Sequence, residues 1–518
     1  MVNMQLFQTL KGKNIPGTDA VNSAGAPAYA LSPRHQLAQY AATGCLNATY
    51  YANAETQLAS VLALCEQVDA AFIAQAAVYL RERGYMKDMP ALLVAVLAAQ
   101  GADEFKPAFA RVIDNGKMLR NVVQILRSGA AGRKSLGSRP KKLVQQWLNN
   151  ASEAQLLAAA VGTSPSLADV VKMVHPKPAA PWRAAFFAWL IGRPYAAADL
   201  PPLTAAFEAY KKDRTQPLPD VPFQMLSALD LSTREWAQIA CRAGWQMVRM
   251  NLNTFARHGV FEIDGMSARI ADKLRDPEAI ANAGVFPYQL MAARQAASAA
   301  VPAAIHLALD AALETALANV PAIAGRVVVC ADVSGSMHSP VTGKRGTATS
   351  VMRCIDVAGL VAAAMLRKNP DALVIPFEND VVACQLYPGD TVMTNAAKLA
   401  ALGGGGTNCS APLVWLNERQ VDAELVVFVS DNESWIDARP RATATVQAWT
   451  AFKRRNPQAR LVCIDCVPNA TMQAAEREDI LNVGGFSDDV FRIISAFAAG
   501  QLDAGHWVGE IEAVNLAA

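Results

Sequence analysis

The sequence predicts a multidomain protein, an all-α array of helical repeats followed by an α/β domain built on a parallel sheet. Three observations predict it. Up to about residue 320, helix-length segments with a 3.6-residue apolar period follow one another. From Arg326 the pattern changes to short apolar runs alternating with helical stretches. The first of those runs ends abruptly in Asp332-Val-Ser334-Gly-Ser336, small polar residues suited to a loop at the carboxyl end of a buried strand. A chain of 518 residues is too long for one core. The expected division is an irregular segment over 1–30, a helical module over 31–321 and the α/β domain over 322–518.

Residues 1–30 have loop chemistry, punctuated by Pro16-Gly17, Asn22-Ser23 and Ala26-Pro27. The stretch from Met1 to Lys13 lacks the basic-then-apolar order of a signal peptide, so a cytoplasmic location is expected. Helices follow. Leu58, Val61, Leu62 and Cys65 have the spacing of a buried stripe, and Leu92, Leu93, Val96 and Leu97 repeat it. Breaks such as Arg83-Gly-Tyr85 separate the segments into stacked helical hairpins. Prolines at Pro176 to Pro181, Pro201-Pro202 and Pro217 to Pro222 interrupt them irregularly, which predicts degenerate repeats. The longest apolar stretches, such as Ala91 to Ala99, are too short to cross a bilayer. In the α/β part, strands are expected at Ala372 to Phe377, Val381 to Leu386, Leu425 to Val429 and Leu461 to Val467, with helices at Thr347 to Lys368 and Thr443 to Arg455. Nine cysteines form no framework, which favours reduced thiols. Cys463 and Cys466, three apart on one expected strand, point to opposite faces and do not form a redox or zinc pair.

The Asp332 loop has the makings of a metal site. One carboxylate and the hydroxyls of Ser334 and Ser336 can hold a hard divalent cation, magnesium above all, without neutralising it, leaving an open position for an outside oxygen. Two later loops supply partners: Thr407 after four glycines, and Asp431 after the run ending at Ser430. Loops at the carboxyl ends of neighbouring parallel strands converge, so Asp332, Ser334, Ser336, Thr407 and Asp431 can face one ion. Gly403 to Gly406 is followed by Thr407 and Asn408, not by Gly-Lys-Ser/Thr, so no nucleotide-binding P-loop is indicated. No catalytic grouping has motif support, and the chain is read as a non-enzyme.

Charge is asymmetric beneath a net value of +2. Residues 1–320 carry 31 Lys or Arg against 24 Asp or Glu, and residues 321–518 carry 16 against 21. Ten basic residues and a single acid, Asp114, fall between Lys106 and Lys142, a pattern that suits a polyanion. Lys117, Arg120, Arg127, Arg133, Lys134, Arg139, Lys141 and Lys142 are the candidate phosphate contacts. Trp182, Trp236 and Trp245 could stack bases, but tryptophan in helical repeats usually packs inside, and they are left unassigned.

The five metal-loop residues, in this order, resemble the metal-ion-dependent adhesion site of a von Willebrand factor A domain, a Rossmann-like α/β fold. Residues 15–320 resemble the TROVE module of the Ro autoantigen family, whose members join a HEAT-like ring of helical repeats to such an A domain. The resemblance is carried by Arg133-Lys-Ser-Leu-Gly137-Ser-Arg139-Pro-Lys141-Lys142-Leu143 with Trp147, by Ser166-Leu-Ala-Asp169-Val-Val-Lys172-Met-Val-His175-Pro-Lys177, and by Arg249-Met-Asn-Leu252 and Phe286-Pro-Tyr288. It implies binding of small noncoding Y RNAs on an outer surface and of single-stranded ends of misfolded RNAs through the hole, in RNA quality control alongside an exoribonuclease. It also implies RNA contacts by Lys172 and His175, and no membrane or DNA partner. One departure stands out: the Lys and Arg that precede the family's histidine in eukaryotic members fall near Gln155 to Gly162, where there is no basic residue. The alternative is a helical scaffold whose A domain clasps a protein carboxylate through the metal; a metal-dependent nuclease comes third.

Overall fold

The computed structural model describes residues 15–43, 53–285, 287–317, 320, 322–341, 352–436, 442–485, 487–502 and 505–517. The expected starts of the chain at Met1 to Lys13 and of the helix at Thr347, and Phe286, lie outside them. The chain divides into two compact units: one comprises Met1–Val68, Ala271–Ser298 and Ala303–Ala513, the other Asp69–Ile270, Ala299–Pro302 and Val514–Ala518. This grouping differs from a simple division near residue 322. Helices on either side of the repeats belong with the α/β sheet.

Among the described residues the first unit holds eight strands: β1 (Ala20–Val21), β2 (Pro27–Ala30), β3 (Val327–Asp332), β4 (Leu373–Phe377), β5 (Leu425–Ser430), β6 (Arg460–Asp465), β7 (Thr471–Met472) and β8 (Ile480–Gly484). Five of them form a wholly parallel sheet in the order β4-β3-β5-β6-β8. Every residue of β3, β5 and β8 is buried, as a sheet covered on both faces requires, and this is why β3 and β5 read as apolar runs. The Cys354–Lys368 helix is buried along almost its whole length. It approaches the Val392–Ala400 helix so closely that a Cβ on Gly359 would lie 2.9 Å from the Ala396 carbonyl oxygen. Phe377, Phe428, Trp449 and Phe452 anchor the core beneath the opposite face.

Three sequence expectations are corrected here. Residues 381–386 form no strand; Val381 makes only an isolated bridge to Phe377, and the chain then leaves the sheet edge. The edge strand β8 was not anticipated, because Asn482 and Gly484 interrupt its apolar pattern. The 1–30 segment is not wholly irregular, since β1 and β2 pair and β2 adds to β7, making a three-stranded antiparallel sheet. Short strands with Ala, Pro and a turn at Asn22 to Gly25 carry too little periodicity to be read locally.

The second unit is helical, from Ala70–Glu82 to Leu252–Arg257 and on into Met266–Arg275. Its segments end where the sequence chemistry directs. Asn115 caps the Gly116–Ser128 helix by accepting from the Lys117 and Met118 amides, and Gly129 ends it at φ +84°. Ser152 and Ser166 start the next helices with capping boxes completed by Gln155 and Asp169. Buried Arg183 holds two hairpins together, its guanidinium donating to the carbonyls of Leu148 (2.9 Å) and Ala151 (2.6 Å). Trp236 and Trp245 are core, and His258 stacks on Trp236 with ring centroids 4.2 Å apart. Among the described residues no helix is long and apolar enough to cross a membrane.

Candidate metal centre and nucleic-acid interface

In the parallel sheet the chain runs from β3 out to β4 and then crosses back past β3 to β5, so the direction of winding reverses between β3 and β5, and the crevice this opens lies at their carboxyl ends. Asp332 closes β3 and Asp431 follows β5, so the fold brings both carboxylates to that crevice. Asp332 is fully buried; its oxygens accept from the Ser334 amide (2.8 Å) and the Ser430 hydroxyl (2.5 Å). The hydroxyls of Ser334 and Ser336 lie 3.3 Å apart. Thr407 and Asp431 are buried as well.

The glycine run explains how the Thr407 loop gets there. A Cβ on Gly403, at φ +80°, would lie 1.8 Å from the Val333 carbonyl oxygen, so only glycine lets the loop pass under the end of β3. Backbone bonds then lock the loops together: Gly335 N–H to Gly405 O, Gly404 N–H to Val333 O, and Trp435 N–H to Thr407 O. The Asp431 carbonyl is held by the Asn469 side chain.

Burial, and after it the charge of Asp431, pushes the Asp332 carboxyl up to about 7. Asp465 at the end of β6 is driven well above the ordinary carboxylate range and Glu433 up to about 7, each mainly by burial. Buried carboxylates facing each other are a charge a cation would neutralise. Among the described residues no group of three or more His, Cys, Asp or Glu is arranged to hold a metal. The donor set is two carboxylates and three hydroxyls, all hard oxygens, and it fits a divalent cation of the magnesium type that keeps water or an outside oxygen in its remaining positions.

The N-terminal hairpin and the Pro33–Thr43 helix after it also reach this end of the sheet, which the sequence did not reveal. The Asn22 side chain donates to Ser434 O (2.8 Å), the Ala24 amide to Glu433 (3.3 Å), and Gln39 to Asp465 (2.9 Å). These partners lie hundreds of residues away, and no local signal marks them.

The basic candidates divide into three kinds. Lys117, Arg127, Lys134, Lys142, Lys172 and His175 are exposed, and Lys141 is half-buried. Lys117 and Arg127 project from the Gly116–Ser128 helix opposite its apolar stripe of Met118, Leu119, Val122, Val123 and Leu126. Arg120 is different: half-buried, it donates to the carbonyls of Val161 (2.5 Å) and Pro165 (3.2 Å), so the structure assigns it to a helix junction. Arg133 and Arg139 do double duty. Arg133 donates to Ala98 O (3.0 Å), and Arg139 to Gly101 O (2.8 Å) and Ala102 O (3.1 Å), covering the negative end of the Asp88–Gln100 helix. The Arg133 guanidinium lies over Gly137, where a Cβ would sit 2.1 Å from Nη2. Glutamine at Arg133 or Arg139 therefore removes a helix cap along with a charge.

The Ser138–Asn150 helix joins the two basic segments. Its first turns carry Arg139, Lys141 and Lys142, and further along Gln145 donates to the carbonyls of Val174 (2.5 Å) and His175 (3.3 Å). His175 ends the Leu167–Val174 helix in the left-handed region at φ +51°. The nearest acid to this segment, Asp169, is engaged by Ser166 and its acidity is increased by that bonding.

Comparison with known proteins agrees with this architecture. Residues 326–498 match the family model of the Ro60 vWA domain. The chain is 25% identical to the RNA-binding protein RO60 of Deinococcus radiodurans over 96% of its own length and 99% of that protein's. The crystal structure of the Deinococcus radiodurans RO (RSR) protein superposes on 91% of this chain and 100% of its own with a TM-score of 0.62 at 21% identity. Residues 326–498 thus resemble the Ro60 vWA domain, and along almost its whole length the chain is similar to a bacterial RO60 protein and shares the fold of the RO (RSR) structure.

Proposed function

We propose that the protein is a non-enzymatic RNA-binding protein of the Ro type, taking a Y-like small RNA and the single-stranded ends of misfolded RNAs, and working in RNA quality control with an exoribonuclease. The observation that carries this reading is the set of cationic groups on adjoining helices and the loop between them, exposed Lys117, Arg127, Lys134, Lys142 and Lys172 and half-buried Lys141, with His175, of which Lys134, Lys141 and Lys142 cap nothing among the described residues. The likeness to a protein named as RNA-binding supports it.

The test uses Lys134→Gln, Lys141→Gln and Lys142→Gln together, because these side chains do not close a helix as Arg133 and Arg139 do. Fluorescence anisotropy with an RNA bearing a single-stranded 3′ tail is expected to show weaker binding. Its log-log salt slope should fall by about 0.7 for each lost phosphate contact, roughly 2 in all. An unchanged slope in the folded variant would move the RNA elsewhere, and no binding by the wild-type protein at low salt would remove the reading.

In the A domain, Asp332, Ser334, Ser336, Thr407 and Asp431 would hold a divalent ion, with magnesium the proposed occupant. When bound, it would act as a Lewis acid that accepts one outside oxygen. This chain's contribution is the held geometry of the loops and a carboxyl at Asp332 that keeps a proton near neutrality. The sign of the pH dependence follows. Below about 7 a proton on Asp332 must leave for the ion to enter, so affinity rises with pH and levels off above that value. Calorimetric titration with magnesium in two buffers of different ionisation enthalpy should count close to one proton released at pH 6 and almost none at pH 8. Equal release at both would place the proton on another group.

A second reading, a scaffold that grips a protein carboxylate at the metal, is favoured by one observation. Trp435 and Ile436 are exposed beside the Thr407 loop, a hydrophobic rim next to an open coordination position. Loss of metal-dependent capture of an acidic peptide on Trp435→Ser, with RNA binding intact, would support it.

A further inference from the structure

A groove of about 360 Å³ runs between the end of the Leu167–Val174 helix and the Pro181–Leu190 helix. Its floor is apolar, with Val171, Phe187 and Ile191, and its rim carries Lys172, His175 and Arg193; no acidic side chain lines it. The three rim residues are exposed. His175 is fixed there by its backbone, which adopts a left-handed conformation that a residue with a Cβ rarely takes, clamped on both sides by its own amide to Val171 O and by Gln145 on its carbonyl.

Such a groove discriminates by chemistry. A hydrocarbon would cover cations and an imidazole with nothing to pair them, and a bare phosphate would leave the floor unused. A nucleotide has what both surfaces need, a flat apolar face and an anionic edge. A paired duplex cannot insert a base, whereas a loop or bulge can splay one out. We propose that the groove takes one unpaired nucleobase of the bound RNA, the base on the Phe187 and Ile191 floor and its flanking phosphate on Lys172 and Arg193. The proposal rests on the RNA-binding reading above and names the feature of the RNA that is recognised. Arg193 enters as a phosphate-positioning residue, and neither the charge pattern nor the family resemblance marks it.

The experiment compares two hairpin RNAs, one with a single bulged uridine and one with an abasic residue in the same bulge, by anisotropy with the full chain. The wild-type protein is expected to bind the uridine hairpin roughly tenfold more tightly, the scale of one stacked or buried base. Ala188→Trp, which fills the groove without touching a charge, is expected to abolish that difference while leaving the abasic hairpin's affinity unchanged. Arg193→Gln, on an exposed side chain, keeps the proposal testable if the tryptophan disturbs packing: it should reduce binding of the uridine hairpin several-fold and that of the abasic hairpin less. Equal wild-type affinity for the two hairpins overturns the base site while leaving RNA binding in place. Failure to bind either hairpin removes the RNA reading itself. If an acidic peptide with an aromatic side chain displaces the uridine hairpin more strongly than uridine monophosphate does, the groove belongs to a protein partner and the proposal falls.

Discussion

Asp332→Ala is expected to lower magnesium affinity at least about a hundredfold, more than the loss of a group that merely orients a ligand, and to leave RNA affinity unchanged within experimental error. The carboxylate closes β3 at the crevice of the sheet, buried and opposite Asp431, and it is the single charged donor of its loop. Its removal leaves Asp431 with three hydroxyls, too little charge to draw a hard cation out of water. The fold should survive. Two donors, the Ser334 amide and the Ser430 hydroxyl, lose their acceptor, but the carboxylate repulsion that raises Asp332 is relieved. Titration calorimetry of the purified chain, with anisotropy on a tailed RNA beside it, reads both quantities. If RNA binding falls as far as in the triple lysine variant, the two functions do not reside in separate parts of the chain.

Arg183→Leu is expected to destabilise the helical unit by about 3 kcal/mol, since a hydrogen bond to a charged group contributes roughly 1.5–3 kcal/mol and two are lost. The side chain is 8% exposed, and its guanidinium satisfies the carbonyls of Leu148 and Ala151 at the end of the Ser138–Asn150 helix. Leucine fills part of the volume but leaves those carbonyls without a donor. Burial lowers the arginine's own basicity, so part of the gain is offset by desolvation, which sets the estimate at the low end for two such bonds. Urea unfolding followed by circular dichroism should show a lower midpoint. A midpoint within error of the wild type would mean that water replaces the guanidinium. RNA affinity measured well below the transition should hold, because Arg183 faces inward.

The sequence determined the elements whose signal is local. Val327 to Cys330 and Leu425 to Val429 are continuous apolar runs because a parallel sheet is covered on both faces, and this made β3 and β5 legible along with the loops that follow them. Asp332, Ser334 and Ser336 are close in sequence, so their loop was legible too, and the topology of such sheets brought in Thr407 and Asp431. Charge along the chain marked the basic stretch, but charge does not say where a side chain points. Only the tertiary structure separated Arg120, turned into a helix junction, from exposed Lys117 and Arg127 on the same helix, and showed Arg133 and Arg139 spending part of their hydrogen-bonding capacity on a helix end. It also decided that residues 20–30 form strands and that Asn22, Ala24 and Gln39 reach the acidic end of the sheet. The reason is common to these cases. A partner hundreds of residues away leaves no period, spacing or cap in the local sequence, because its contribution comes from the solvent it excludes and the single donor it supplies after the chain has closed around it.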